Sequence, residues 1–133
     1  MRLTPKSALC ALAALALMAA VAVPADERKD VPEKYTWNLQ DMYASPAAWK
    51  EAKEALAKRV PEMAPYKGHL GDSAEKLYGA LSTMAGIDKD LVRLLSYASQ
   101  LYDQDTQVSE SLEMQQGAEQ LAAEYGAAVS WMR

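Results

Sequence analysis

The sequence predicts an all-α protein, built from about four helices packed as antiparallel hairpins behind an extended aromatic segment. Two observations predict the helices: beyond residue 44 the apolar residues recur at three- and four-residue steps, and helix-start signals precede these runs. A third observation predicts the segment in front of them. Pro32 to Trp49 reads PEKYTWNLQDMYASPAAW, which is rich in aromatic rings but has little helical periodicity.

The first 25 residues have the layout of a secretory signal. A short basic start with Arg2 and Lys6 precedes an uninterrupted apolar run over residues 8–23, and Val23-Pro24-Ala25 offers small residues for a signal peptidase. The run is also shorter than the roughly 20 residues that span a bilayer comfortably. We therefore expect a signal-peptide helix over residues 1–25 that is cleaved after Ala25, and an exported product, periplasmic or extracellular, with no stable membrane insertion. An uncleaved membrane tether is the alternative.

Cleavage would leave a chain of one small domain without cysteine, because Cys10 lies inside the apolar run. Loss of Arg2 and Lys6 leaves 12 basic and 18 acidic residues, a formal charge of −6. No clustered Lys and Arg remain to meet phosphates, so we expect no nucleic-acid partner.

The first two helices are marked by their starts. Ser45 is a good N-cap and Pro46 suits the first helical position, and Pro61 is expected to kink this helix before a turn at residues 66–68 ends it. A second helix is expected after the capping-box spacing of residues 72–75, with an interruption at Gly86. Its predicted apolar face holds Leu77, Leu81 and Met84.

The third and fourth helices carry the longest apolar stripes. The third is expected from Ile87 to Tyr102, before a polar turn at residues 103–106, and the fourth from near Gln107 to the end of the chain. No Gly, Asn or Pro follows to cap its last carbonyls. Alanine is abundant and the core is thin, so we expect the helical part, residues 45–133, to be the truncated front of a larger body. A frayed terminus and an end that docks on a partner are the alternatives.

Residues with catalytic or metal-binding chemistry are few. His69 is the only histidine and lies on a polar loop, whereas a zinc site of the H-E-x-x-H kind needs two histidines one helical turn apart. Pairs of acids such as Glu51 with Glu54 fall on polar helix faces, and Asp103, Asp105 and Glu110 are read as capping residues rather than calcium ligands. We expect no catalytic, metal or cofactor-binding residue in this chain.

Three stretches resemble one family in order and spacing. Residues 35–43, YTWNLQDMY, followed by Ser45-Pro46-x-x-Trp49, resemble the Y-x-W-[DN]-L-x-D-[ILM]-Y start of oligoendopeptidase F proteins. Residues 66–70, YKGHL, are similar to the family's Y-K-G-x-L stretch, and residues 97–106, YASQLYDQDT, are similar to its Y-A-x-L-x-x-D-x-D-T turn.

The resemblance implies the N-terminal, non-catalytic helical region of a zinc metallopeptidase of the thimet-oligopeptidase type. Oligopeptides would be the substrate and zinc the cofactor of the full-length protein, and the remainder of the peptidase body would be the partner of this region. None of the family's metal or catalytic residues matches a position here. The alternative from another class is a stand-alone exported module that binds a peptide or protein without catalysis.

The aromatic segment, residues 26–44, is interpreted as a structural strap across the helices. The residues expected to make its contacts are Tyr35, Trp37, Leu39, Asp41 and Tyr43 of the segment and Trp49 of the first helix. We expect Trp37 and Leu39 to be buried and the Asp41 side chain to bond nearby backbone, because an irregular segment holds large rings only where other elements receive them.

Overall fold

The computed structural model describes residues 31–132, and three α-helices dominate this part of the chain. They are α1 (Pro46–Arg59), α2 (Ala74–Gln104) and α3 (Ser109–Ala128). Short 3-10 segments lie at Glu33–Tyr35, Leu39–Asp41, Val60–Tyr66 and Ser130–Met132, and residues 31–132 contain no strand. The all-α prediction is confirmed. The predicted signal segment, residues 1–25, lies outside the described residues.

Helix α1 begins where its capping signal predicts. The Ser45 Oγ accepts a hydrogen bond from the Ala48 amide at 3.2 Å, and Pro46 occupies the first helical position. The α-helix ends at Arg59, and the 3-10 segment Val60–Tyr66 continues it, since Pro61 lacks the amide proton an α-helix needs. Gly68 then turns the chain at φ +80°, a conformation that favours glycine.

Helix α2 is a single helix of 31 residues, about 46 Å long, so the prediction that Gly86 separates two helices is wrong. Ser73 caps its start by accepting from the Lys76 amide at 3.2 Å. A glycine inside a helix costs only about 1 kcal/mol, and burial of neighbouring residues such as Ile87 offsets this cost. The Arg59 side chain lies over Gly86, with Nη2 3.2 Å from where a Cβ would stand.

The core forms where α2 packs against α1, the 3-10 segment Val60–Tyr66 and α3. The stripe predicted from Ile87 to Tyr102 supplies buried and half-buried residues to it, and Tyr97 and Tyr125 are buried there as well. The side chains of largest volume that are fully buried are Trp49, Met63, Ile87 and Leu94. Bulky side chains of α1, the 3-10 segment and α2 therefore belong to one core cluster, to which α3 adds Met114 and Leu121.

Two parts of the predicted apolar faces stay exposed. Leu77 and Leu81 are more than two-fifths exposed. Helix α3 ends beside Met84, so it does not reach the first turns of α2. Val108 and Leu112, at the start of α3, are exposed as well. The helix period predicts which residues share a face but not how far the neighbouring helix extends along it.

The end of α3 differs from the uncapped helix expected to run to the end of the chain. The α-helix stops at Ala128, and the 3-10 segment Ser130–Met132 follows. Ser130 Oγ donates to the Ala127 carbonyl at 2.9 Å, and the Trp131 indole donates to the Ala128 carbonyl at 2.8 Å. Two side chains just past the helix thus satisfy carbonyls that the sequence seemed to leave without partners.

Candidate functional site

Within the described part of the chain, residues 32–44 of the aromatic segment dock on the second half of α2 through Leu39 and Tyr43. Leu39 is buried, as predicted, and the Tyr43 ring meets the buried Tyr97 ring edge to face, with centroids 5.3 Å apart and planes at 86°. This is the favoured geometry of an aromatic pair. Burial raises the pKa of both phenols above their usual value, and the nearby Arg93 partly opposes the rise for Tyr43.

Arg93 of α2 ties the same segment down by its backbone. Its guanidinium donates to the carbonyl oxygens of Met42 and, at 3.5 Å, Asp41, and it lies 5.1 Å from the centre of the Tyr43 ring. A planar cation thus holds two consecutive carbonyls and an aromatic face at once. Sequence reasoning did not identify Arg93, because nothing in its neighbourhood marks a partner some 50 residues earlier.

Trp49 follows the segment and is the anchor of α1. Its ring is 1% exposed, and Nε1 donates to the Leu94 carbonyl in the middle of α2 at 2.9 Å. Lys53 lies above the ring at 5.9 Å, near the face of α3 that carries Gly117.

Trp37 is the main departure from the predicted strap. Its side chain is 54% exposed, so the expectation of a buried ring is wrong, and Tyr35 is exposed too. The backbone rather than the indole is held: Gln104 Nε2 donates to the Trp37 carbonyl at 3.2 Å. The Asp41 carboxylate likewise accepts from the Asn38 side chain at 3.0 Å, not from the backbone as predicted.

A cavity of about 370 Å³ opens between this segment and the end of α2, and Trp37 is among the residues that line it. Every side chain that lines it is uncharged: the polar ones include Asn38, Gln40, Ser45 and Gln104, and the apolar ones include Leu39 and Leu101. In a chain of net charge −4 this is a neutral surface that presents amides beside an open ring.

A groove of about 490 Å³ lies at the opposite half of α2, against the second half of α3. It is largely apolar, with Leu81, Met84 and Val129 among its lining residues. Tyr125 lines it as well, and its hydroxyl donates to the Met84 carbonyl at 3.4 Å. Burial, and then a hydrogen bond and negative charge from Asp88, raise the pKa of Tyr125 to about 12.

His69 and Asp105 lie outside the α-helices, in the loops before α2 and α3. Across residues 31–132, no group of three or more His, Cys, Asp or Glu side chains is placed to hold a metal ion. His69 is exposed, with Nδ1 2.7 Å from Asp72 Oδ2, and Asp105 Oδ1 accepts from the Gln107 amide at 2.9 Å just before α3. The donor set of this chain, with one histidine, does not fit the His-x-x-x-His zinc site that its resemblance implies for the family.

None of the helices in residues 31–132 combines the length and the apolar character that a membrane span requires.

Comparison with known proteins gives consistent results. The chain is 39% identical over 80 residues to oligopeptidase PepF of Bacillus subtilis (strain 168), which is 60% of this chain and 12% of that protein. It is 34% identical over 105 residues to the plasmid-encoded oligoendopeptidase F of Lactococcus lactis subsp. cremoris, 77% of this chain and 17% of that protein. It is 29% identical over 106 residues to the group B oligopeptidase PepB of Streptococcus agalactiae serotype III (strain NEM316), 80% of this chain and 18% of that protein.

These matches make the chain a relative of bacterial oligopeptidases. Within that class it corresponds to a segment of oligoendopeptidase F proteins, which confirms the resemblance inferred from residues 35–49, 66–70 and 97–106. The chain spans 12–18% of the length of the curated relatives it matches. No protein-family model matches it, and no solved structure matches it either.

Proposed function

We propose that this chain is the N-terminal, non-catalytic helical portion of an exported oligoendopeptidase F-like zinc metallopeptidase that hydrolyses oligopeptides. The observation that carries the proposal is the 29–39% identity to several oligopeptidases over most of the chain. The chain covers under a fifth of those proteins, which leaves room for a catalytic region elsewhere in a longer product. Since one histidine cannot seat the zinc, the metal ligands would belong to that region.

The helices of residues 31–132 would form part of the wall around the cavity in which the full-length peptidase binds its substrate. Two features support this role: a rigid helical body held together through α2, and an uncharged cavity with an open Trp37 ring. Export is part of the proposal and is supported by the basic start, apolar run and small-residue site within residues 1–25.

The coding DNA tests the proposal most directly. We expect the reading frame to continue beyond codon 133 and to encode a His-Glu-x-x-His segment, and the longer product to cleave a quenched fluorescent oligopeptide only when zinc is bound. Mass spectrometry of the exported protein should find Asp26 at its N-terminus. Zinc-dependent cleavage by the purified 133-residue chain would contradict the non-catalytic role.

A second candidate is a stand-alone exported module that binds a peptide or protein without catalysis. The open apolar groove between α2 and α3 favours it, because such a groove is a usual seat for an amphipathic partner. A stop codon after Arg133, with no His-Glu-x-x-His segment encoded nearby, would favour this candidate over the peptidase.

A further inference from the structure

We propose that the Trp37 cavity is a binding subsite for an uncharged stretch of peptide, in which an apolar side chain lies against the Trp37 ring. The cavity is the one of about 370 Å³ between the aromatic segment and the end of α2. The choice of peptide over another neutral ligand rests on the proposed function.

The first argument is the exposed ring. A tryptophan that is 54% exposed leaves a large apolar area in water, although Leu39, two residues on, is buried. The ring does not hold the segment in place, because Leu39, Tyr43 and the Arg93 contacts to the backbone already do so. An apolar face on a fixed backbone at the wall of a cavity is the usual arrangement of a ligand-stacking group.

The second argument is the orientation of two side-chain amides. Gln104 Nε2 donates to the Trp37 carbonyl, and Asn38 Nδ2 donates to the Asp41 carboxylate. Both partners only accept hydrogen bonds, so they fix which end of each amide is which. Each amide then keeps its oxygen as an acceptor on the side away from that partner. Two oriented acceptors suit a ligand that donates N–H groups, as a peptide backbone does.

The third argument is charge. The cavity wall has no charged side chain, so it offers no partner for a peptide terminus or for a charged residue. A buried charge without a partner is unfavourable. The subsite should therefore accept the interior of a peptide and reject its charged ends.

Nuclear magnetic resonance of the purified chain tests the subsite, with N-acetyl-Ala-Leu-Ala amide as the probe. The chain has three tryptophans, and Trp49 is buried while Trp131 lies at the far end of α3. We expect the capped peptide to shift the indole N–H signal of Trp37 saturably and to leave the other two signals in place. No saturable shift of the Trp37 signal would overturn the proposal.

Variants separate stacking from general surface binding. With the side-chain amide signal of Gln104, another lining residue, as the readout in every variant, Trp37→Ala should weaken binding about 2- to 13-fold, the value of an aromatic contact, and Trp37→Phe should restore most of it. Tyr78→Ala, which removes an exposed ring from the first half of α2, should bind like the unmodified chain. The two remaining indole signals report that the Trp37 variants are folded. Equal affinity of Trp37→Ala and the unmodified chain would overturn the proposal.

Two further comparisons identify the ligand class and separate this inference from the proposed function. Cellotriose, a neutral sugar with flat apolar faces, should not shift the Trp37 signal; if it binds and the peptide does not, the peptide subsite is wrong. A longer product without peptidase activity would overturn the proposed function and leave the binding result standing. An active peptidase whose KM for an oligopeptide is unchanged by Trp37→Ala would overturn the subsite alone.

Discussion

The indole nitrogen of Trp49 donates a hydrogen bond of 2.9 Å to the backbone carbonyl of Leu94, across 45 residues of sequence. The donor belongs to α1 and the acceptor to the middle of α2, and both side chains are almost fully buried. This contact fixes where α1 lies along α2. It also places Ser45, the cap of α1, beside the cavity that Trp37 borders.

The two tryptophans near the start of the fold should therefore differ sharply in their effect on stability. Trp49→Ala removes a fully buried ring and should lower the free energy of unfolding by about 3–5 kcal/mol. Trp37→Ala removes a half-exposed ring and should change it by no more than about 0.5 kcal/mol. Urea unfolding followed by circular dichroism measures both.

Trp49→Phe refines this comparison, because it keeps an aromatic ring and removes the donor to Leu94. It should cost less than Trp49→Ala, with about 0.5–1.5 kcal/mol of the loss due to the missing hydrogen bond. If Trp37→Ala proved as damaging as Trp49→Ala, the exposed placement of Trp37 would be wrong and the strap predicted from sequence would be right.

Arg93 should control the order of the aromatic segment without controlling the helices. Arg93→Ala removes the donor to the Met42 and Asp41 carbonyls, so the 3-10 turn at Leu39–Asp41 should open more often. The Met42 and Tyr43 amides, which both bond the Leu39 carbonyl, should exchange with solvent about 2- to 13-fold faster. Hydrogen exchange read by nuclear magnetic resonance measures these rates.

Arg59→Ala is the matched control for Arg93. It removes a guanidinium of α1 whose ion pairs are with Asp90, at 2.6 Å, and Glu62 rather than with the backbone of the aromatic segment. The Met42 and Tyr43 rates should not respond to it. Equal acceleration in both variants would show that the segment depends on net charge and not on the Arg93 contacts.

The sequence predicts local features well and long-range ones poorly. Ser45 is predicted as a cap and bonds the amide three residues ahead, and the helix start predicted from the spacing of residues 72–75 is capped in the same way by Ser73. The continuity of α2 through Gly86 was missed, since it depends on burial against other elements rather than on the local helix cost. The cavity could not be predicted for a similar reason, since it too depends on long-range packing. The YTWNLQDMY stretch singles out Trp37, but nothing local indicates that Gln104, 67 residues later, contacts it.

Gly86 itself should tolerate alanine. Its φ is not in the left-handed region, and among residues 31–132 the neighbour that a new Cβ would meet outside its own helix turn is the end of the flexible Arg59 side chain. Gly86→Ala should raise the free energy of unfolding by about 0.4–1 kcal/mol, because alanine favours the helix and restricts the unfolded chain. Thermal and urea unfolding measure the gain.

Gly126→Ala is the control for this effect, since its Cβ would meet nothing within 4 Å in α3. A similar gain at both sites is expected. Destabilisation at Gly86 alone would mean that Arg59 cannot move aside, and that its contacts with Asp90 and Glu62 hold it over the glycine.

Tyr125 should make stability fall at high pH. Its pKa is raised from the ordinary value of 10 to about 12 in the folded chain. The main cause is burial of the phenol, and the second is Asp88, which forms a hydrogen bond with the phenol and adds negative charge beside it. The folded state thus keeps a proton that the unfolded state loses, so the contribution is complete below pH 10 and disappears as the pH rises towards 12. The loss should amount to about 1–3 kcal/mol.

Urea unfolding of the unmodified chain and of Tyr125→Phe, at a series of alkaline pH values, measures this loss. The variant should lose less stability between pH 10 and 12 than the unmodified chain. The loss that the variant still shows should come from other groups, including Tyr43 and Tyr97, whose pKa values are also raised. Parallel curves for the two proteins would contradict the raised pKa of Tyr125.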